Sequence, residues 1–95
     1  MTTIKVRAYS GTPTITLDAG QSKLFRDELK RVRKFYPASK GLPAAKIGPD
    51  CVITIRTGRG TSEYQLFSRA VLVETRTKKK WQFYFGLLLM EWLHP

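Results

Sequence analysis

Ninety-five residues suffice for one compact domain spanning residues 1–95, and a hydrophobic share of 42% argues against a disordered chain. Seventeen Lys and Arg against seven Asp and Glu give a net charge of +10, which favours polyanionic partners: DNA, RNA, anionic lipid or an acidic protein. One cysteine (Cys51) and one histidine (His94) exclude an intrachain disulfide, a cysteine-only zinc site and a multi-histidine metal site.

At the N-terminus, Ile4, Val6 and Ala8 alternate with Lys5, Arg7 and Tyr9, the period of a half-buried strand. Ser10-Gly11-Thr12-Pro13 supplies a turn and Thr14 to Leu17 a short partner, which predicts an N-terminal hairpin. No uninterrupted apolar stretch of a signal peptide opens the chain. The longest apolar segment, Trp81 to Leu93, is too short to span a bilayer. The expectation is therefore a cytoplasmic protein without a membrane partner.

Asp18 to Ser22 offers capping residues ahead of a helix over Lys23 to Tyr36, ended by Pro37. Leu24, Phe25, Leu29, Val32, Phe35 and Tyr36 share one side of it. The other side collects Lys23, Arg26, Lys30, Arg31, Arg33 and Lys34 against Asp27 and Glu28, a one-sided basic face rather than a mixed one. Pro37 to Asp50 reads as a long surface loop, a place where chain can order on binding.

From Cys51 the pattern turns to β. A loop at Gly58 to Thr61 sets Thr57 opposite Ser62, Ile55 opposite Tyr64 and Arg56 opposite Glu63, an opposite-charge pair. A second break at Arg76 to Lys79 sets Thr75 opposite Lys80 and Leu72 opposite Phe83. Together these predict a three-stranded meander with Ile53, Ile55, Leu66, Ala70, Leu72, Phe83 and Phe85 on one face. After Gly86, Leu87 to Leu93 reads as a short apolar helix. The fold class is thus α+β: an antiparallel sheet, made of the N-terminal hairpin and the C-terminal meander, packed against one amphipathic helix.

The second face of the meander carries Val52, Thr54, Arg56, Gln65, Phe67, Arg69, Val71, Val73, Gln82 and Tyr84. Aromatic rings stack on unpaired bases while arginines track phosphates, so Phe67 and Tyr84 are candidate stacking residues. The competing reading, favoured by the apolar character of Val52, Phe67, Val71 and Val73, is a second core beneath the N-terminal hairpin or a dimer interface. Arg59 marks one hairpin tip and Arg76, Lys78, Lys79 and Lys80 the next. Successive turns of a meander lie at opposite ends, so the surface is expected to be basic at both ends. With Lys23, Arg26, Lys30, Arg33, Lys34, Arg56 and Arg69, these form the candidate set for nucleic acid or an acidic partner.

Catalytic readings fare less well. Cys51 opens a buried strand far from the lone His94. Gly58-Arg59-Gly60-Thr61 lacks the lysine and following helix of a phosphate-binding loop, and no cofactor motif is present. Glu63, Tyr64, Arg56 and Arg69 are residue types used by metal-independent ribonucleases, but no spacing marks an acid and a base. From Ser22 onward, the order helix, three antiparallel strands, short helix resembles the topology of the double-stranded RNA-binding domain. The sequence departs from that family in its apolar last helix, which lacks a lysine-rich start, and in its additional N-terminal hairpin.

The function expected from the residues is non-catalytic binding of a polyanion, first of all nucleic acid. The alternative is a small inhibitor, of the immunity or phage anti-host kind, that neutralises an acidic protein. A third reading is homodimerisation through the apolar C-terminus, where Trp81, Trp92 and Leu87 to Leu89 gather.

Overall fold

The computed structural model describes residues 2–35, 48–83 and 85–94. The elements run β1 (Thr3–Ala8), β2 (Thr14–Thr16), α1 (Ala19–Phe35), β3 (Cys51–Thr57), β4 (Gly60–Phe67), β5 (Val71–Glu74), β6 (Lys80–Gln82) and α2 (Gly86–Leu93). All strands join one antiparallel sheet in the order β2-β1-β3-β4-β5-β6. The α+β class expected from the sequence is the one observed. The long loop expected between Pro37 and Asp50, and the stacking candidate Tyr84, fall wholly or largely outside the described residues.

Helix α1 starts earlier than its apolar stripe. The backbone N–H of Gln21 donates to Asp18 Oδ1 (2.8 Å) and that of Asp18 to Gln21 Oε1 (3.1 Å), a reciprocal cap that satisfies two otherwise orphan donors. Phe25, Leu29 and Val32 form the buried stripe, with Ser22 extending it one turn back. Leu24, expected among them, lies off this stripe and is 53% exposed.

One face of the sheet carries the core. Ile4, Val6 and Ala8 of β1 lie beside Ile53 and Cys51 of β3, followed by Tyr64, Leu66, Leu72 and Trp81. Both helices contribute to this core, α1 through Phe25, Leu29 and Val32 and α2 through Leu89 and Leu93. A run of edge-to-face rings links them: Phe25–Phe83 at 5.8 Å, Phe83–Phe85 at 6.1 Å and Phe85–Trp92 at 5.4 Å. The apolar tail thus closes the core of its own chain.

The meander has four strands rather than three. The stretch that reads as one long middle strand is broken at Ser68-Arg69-Ala70, where Phe67 turns back to face Val71. Ser68 (φ 52°) and Arg69 (φ 56°) both take left-handed backbone, and the Ala70 N–H reaches the Phe67 carbonyl at 3.1 Å. This is the dihedral pattern of a tight hairpin turn, normally signalled by Asn-Gly. The turn is held by Asp50, whose Oδ2 accepts from the Arg69 N–H at 2.7 Å.

Both expected registers also move by two residues. Gly60 sits in the ladder opposite Thr57 with φ 139°, a conformation that suits glycine, so the first loop shrinks to Gly58-Arg59. Ile53 therefore faces Tyr64, Thr54 faces Glu63, and Arg56 faces Thr61, so the expected Arg56–Glu63 partnership is not formed. In the last hairpin Leu72 faces Trp81, not Phe83. Because side chains alternate with period two, a shift of two leaves the paired strand residues on their expected faces; Arg69 and Ala70 leave the sheet for the turn, and Phe85 sits at the start of α2 rather than in a strand.

Gly86 opens α2 against the Ser68–Ala70 turn, and a Cβ there would lie 2.1 Å from the Arg69 carbonyl oxygen. Backbone cannot yield as a side chain can, so Gly86→Ala is expected to destabilise by about 1–3 kcal/mol. A urea midpoint equal to that of the parent would contradict this contact.

Candidate functional site

The four-strand meander rearranges the basic turns. The Gly58–Arg59 turn joins β3 to β4 and the Thr75–Lys79 segment joins β5 to β6; the Ser68–Ala70 turn lies between them in sequence. In an antiparallel meander alternate turns share an end. Arg59 therefore lies at the same end of the sheet as Arg76, Lys78 and Lys79, and Arg69 lies at the other. The expectation of a surface basic at both ends is corrected: it failed because the intervening turn carries no glycine, proline or asparagine.

Helix α1 meets the sheet at that basic end. A groove of about 720 Å³ lies between them, lined by Arg26, Lys30, Arg33 and Lys34 on the helix, by Ile55, Thr57, Ser62 and Tyr64 on β3 and β4, and by Leu29 and Thr2. The four cations follow i, i+4, i+7, i+8 spacing, which puts them along one side of the helix beside the apolar stripe. Both acidic residues of α1 are engaged elsewhere: Asp27 pairs with Lys23 at 3.1 Å, and Glu28 pairs with Arg31. Arg26 and Lys30 have no ion-pair partner among the described residues.

Arg33 is set in place by the core edge. Its Nη1 donates to the Tyr64 hydroxyl at 3.2 Å, its guanidinium lies 5.7 Å from the Trp81 ring centre, and Tyr64 in turn donates to Glu74 Oε2 at 3.2 Å. The Thr77 hydroxyl also donates to Glu74. Burial above all raises the Tyr64 phenol above its ordinary value; Glu74 adds to the rise and Arg33 opposes it. Tyr64 accordingly stays protonated at neutral pH and relays between Glu74 and Arg33. Of the five donors on the guanidinium, one is used on Tyr64.

The other face of the sheet is formed by the alternate residues. A row crosses all six strands: Thr14, Arg7, Val52, Gln65, Val73, Lys80. Neighbouring rows hold Thr16, Lys5, Thr54 and Glu63; Thr3, Arg56 and Thr61; and Phe67, Val71 and Gln82. The N-terminal hairpin does not lie over this face but extends the sheet sideways, β1 pairing with β3. The second core expected beneath the hairpin is therefore not formed by it. Val52 and Val73 are nonetheless buried, and Phe67 is half-buried.

The candidate residues thus divide. Arg26, Lys30, Arg33 and Lys34 line the groove, and Arg59, Arg76, Lys78 and Lys79 belong to turns at the same end of the sheet, while Lys80 opens β6 on the other face in the row of Val73 and Val52. Arg56 is exposed on the other face at that end; Lys23 is paired with Asp27, and Arg69 lies at the opposite end. Lys5, Arg7 and the hydroxyls of Thr2 and Ser62 were not among the expected site residues, and Tyr64 figured only in the ribonuclease-type set. Alternation already placed Lys5 and Arg7 together; missing was the pairing of β1 with β3. Glu63 and Tyr64, adjacent in sequence, point to opposite faces, so the ribonuclease-type set is not brought together.

Cys51 is fully buried, and desolvation first, then the Asp50 charge, pushes its thiol up to about 12. An unfolded chain releases that proton from about 9 upward, as it does the Tyr64 proton near 10. Both folded values are raised, so the stability they lend is complete below pH 9 and declines as pH rises towards 12. Thermal unfolding across that range is expected to fall more steeply for the parent than for Cys51→Ala; equal slopes would contradict the assignment.

Among the described residues no cluster of three or more His, Cys, Asp or Glu converges on a metal position, and no helix is long and apolar enough to cross a membrane. Compared with protein-family models, curated proteins and solved structures, the chain matches none.

Proposed function

We propose that the protein is a non-catalytic nucleic-acid-binding module of the cytoplasm that holds phosphates at its basic end. One observation carries this reading: the α1 groove and two alternate hairpin turns bring their cations to one end of the molecule, while the acidic residues of α1 are engaged by Lys23 and Arg31. Cations gathered in this way release condensed counterions when they meet a phosphate chain, which is the main source of sequence-independent affinity. Tyr64 and Trp81 hold Arg33 in place before any ligand arrives, which lowers the ordering cost of binding. A free buried thiol is also compatible with a reducing compartment.

The test is fluorescence anisotropy with labelled single-stranded RNA, single-stranded DNA and duplex DNA over a salt series. The reading predicts a linear fall of log affinity with log salt, about −0.7 per phosphate neutralised on a single strand. Binding absent at low salt on all three probes would overturn it and direct the search to an acidic protein partner.

A further inference from the structure

A second concavity backs onto the first. On the sheet face away from the helices, Thr3, Lys5, Thr54, Arg56 and Thr61 line a cleft of about 350 Å³. Consecutive residues divide between the two sites: Thr2 lines the groove and Thr3 the cleft, Thr57 the groove and Arg56 the cleft, Ser62 the groove and Thr61 the cleft. Strand alternation makes this unavoidable, so the two sites stand back to back across β1, β3 and β4. The separation is about one layer spacing, roughly 10 Å. Between them, at the sheet end, is the Gly58–Arg59 turn.

The chemistry of the cleft is that of an oxyanion site. Arg56 offers a planar fork of donors, Lys5 a second cation, and three threonine hydroxyls add neutral donors; no carboxylate lines it. The nearest acidic residue on this face, Glu63, faces Thr54 one strand further along the row. Neither Lys5 nor Arg56 makes an ion pair among the described residues.

We propose that this cleft is a second phosphate subsite, and that a single-stranded nucleic acid rounds the β3–β4 turn from the α1 groove to reach it. The inference rests on the nucleic-acid reading above and names the form of the ligand. Two features select a single strand. The groove has an apolar floor, Leu29, Ile55 and Tyr64, beneath its cations, which suits the face of an unpaired base beside its phosphate. A ligand serving both sites must also reverse over a distance of about 10 Å. A duplex, with a persistence length of about 150 base pairs, does not bend on that scale.

The experiment compares three proteins on a labelled single-stranded oligonucleotide and its duplex across a salt series: the parent, Lys5→Ala/Arg56→Ala and Arg26→Ala/Lys30→Ala. All four side chains are exposed, and circular dichroism checks that each variant is folded. Each double variant is expected to lower the single-strand salt slope by about 1.4, two phosphates' worth, with the parent preferring the single strand. If only Arg26→Ala/Lys30→Ala lowers it, the groove reading stands and the cleft subsite is overturned. Equal or tighter binding of the duplex overturns the single-strand path. If neither variant changes binding, the nucleic-acid reading itself fails at this end of the molecule.

Discussion

Phe83→Ala is expected to lower the unfolding free energy by about 3–5 kcal/mol. Phe83 is fully buried and stands between the two helices, edge-on to Phe25 of α1 and to Phe85 at the start of α2. Its removal opens a cavity and breaks the ring contacts that join α1 to the C-terminal segment. Its backbone N–H bond to the Ala70 carbonyl (2.7 Å) does not involve the side chain, so the loss is one of packing. A domain of this size has roughly 5–15 kcal/mol in hand, so the variant should be close to unfolding at moderate temperature. Leu87→Ala, at a residue 60% exposed, should stay within about 0.5 kcal/mol of the parent. Urea denaturation of both variants checks the pair; a Phe83→Ala cost below about 1 kcal/mol, well short of the usual aromatic core penalty, would contradict this packing.

The second large effect is on binding. Arg26→Glu/Lys30→Glu is expected to weaken single-strand affinity on the order of 100-fold near physiological salt, because two phosphate contacts are lost and two like charges face the ligand. Neither residue has an ion-pair partner among the described residues, and both lie on the exposed side of α1, so stability should change little. Lys23→Ala serves as the control: its charge is already paired with Asp27. Lys23→Ala changes the net charge by one and the double variant by four, so a loss of about threefold or more for Lys23→Ala, a quarter of the double variant's on a log scale, would mean that net charge, not the groove, sets the affinity.

Much of this architecture was legible in the residues. The alternation of Ile4, Val6 and Ala8, the helical spacing of Phe25, Leu29 and Val32, and the common face of Ile53, Leu66, Leu72 and Phe83 all depend on side-chain period, and the buried residues follow it. That face assignment survived two register errors, because both were shifts of two. What could not be read was the turn at Ser68-Arg69, where two residues with Cβ atoms adopt left-handed backbone. Local sequence there signals continued strand; the hairpin is fixed by contacts distant in sequence, Asp50 on the Arg69 N–H and Gly86 against the Arg69 carbonyl. Missing that turn reversed the placement of Arg59 relative to Arg76, Lys78 and Lys79.

The groove was half legible for a related reason. The basic spacing of Arg26, Lys30, Arg33 and Lys34 is a property of the helix alone. Its opposite wall depends on which sheet face α1 crosses and which strands lie under it, information held in long-range packing. Tyr64 illustrates the difference: its alternation marks it as a core residue, and only the fold brings Arg33 and Glu74 to its hydroxyl.

The most direct test is to titrate the ¹⁵N-labelled protein with a short single-stranded oligonucleotide and map the amide shifts. Perturbations are expected at Thr2, Arg26 to Lys34, Arg56 to Ser62 and Arg76 to Lys80, with Asp18, Arg69 and α2 unmoved. Shifts centred on Arg69 and α2, or no shifts at low salt, would contradict this.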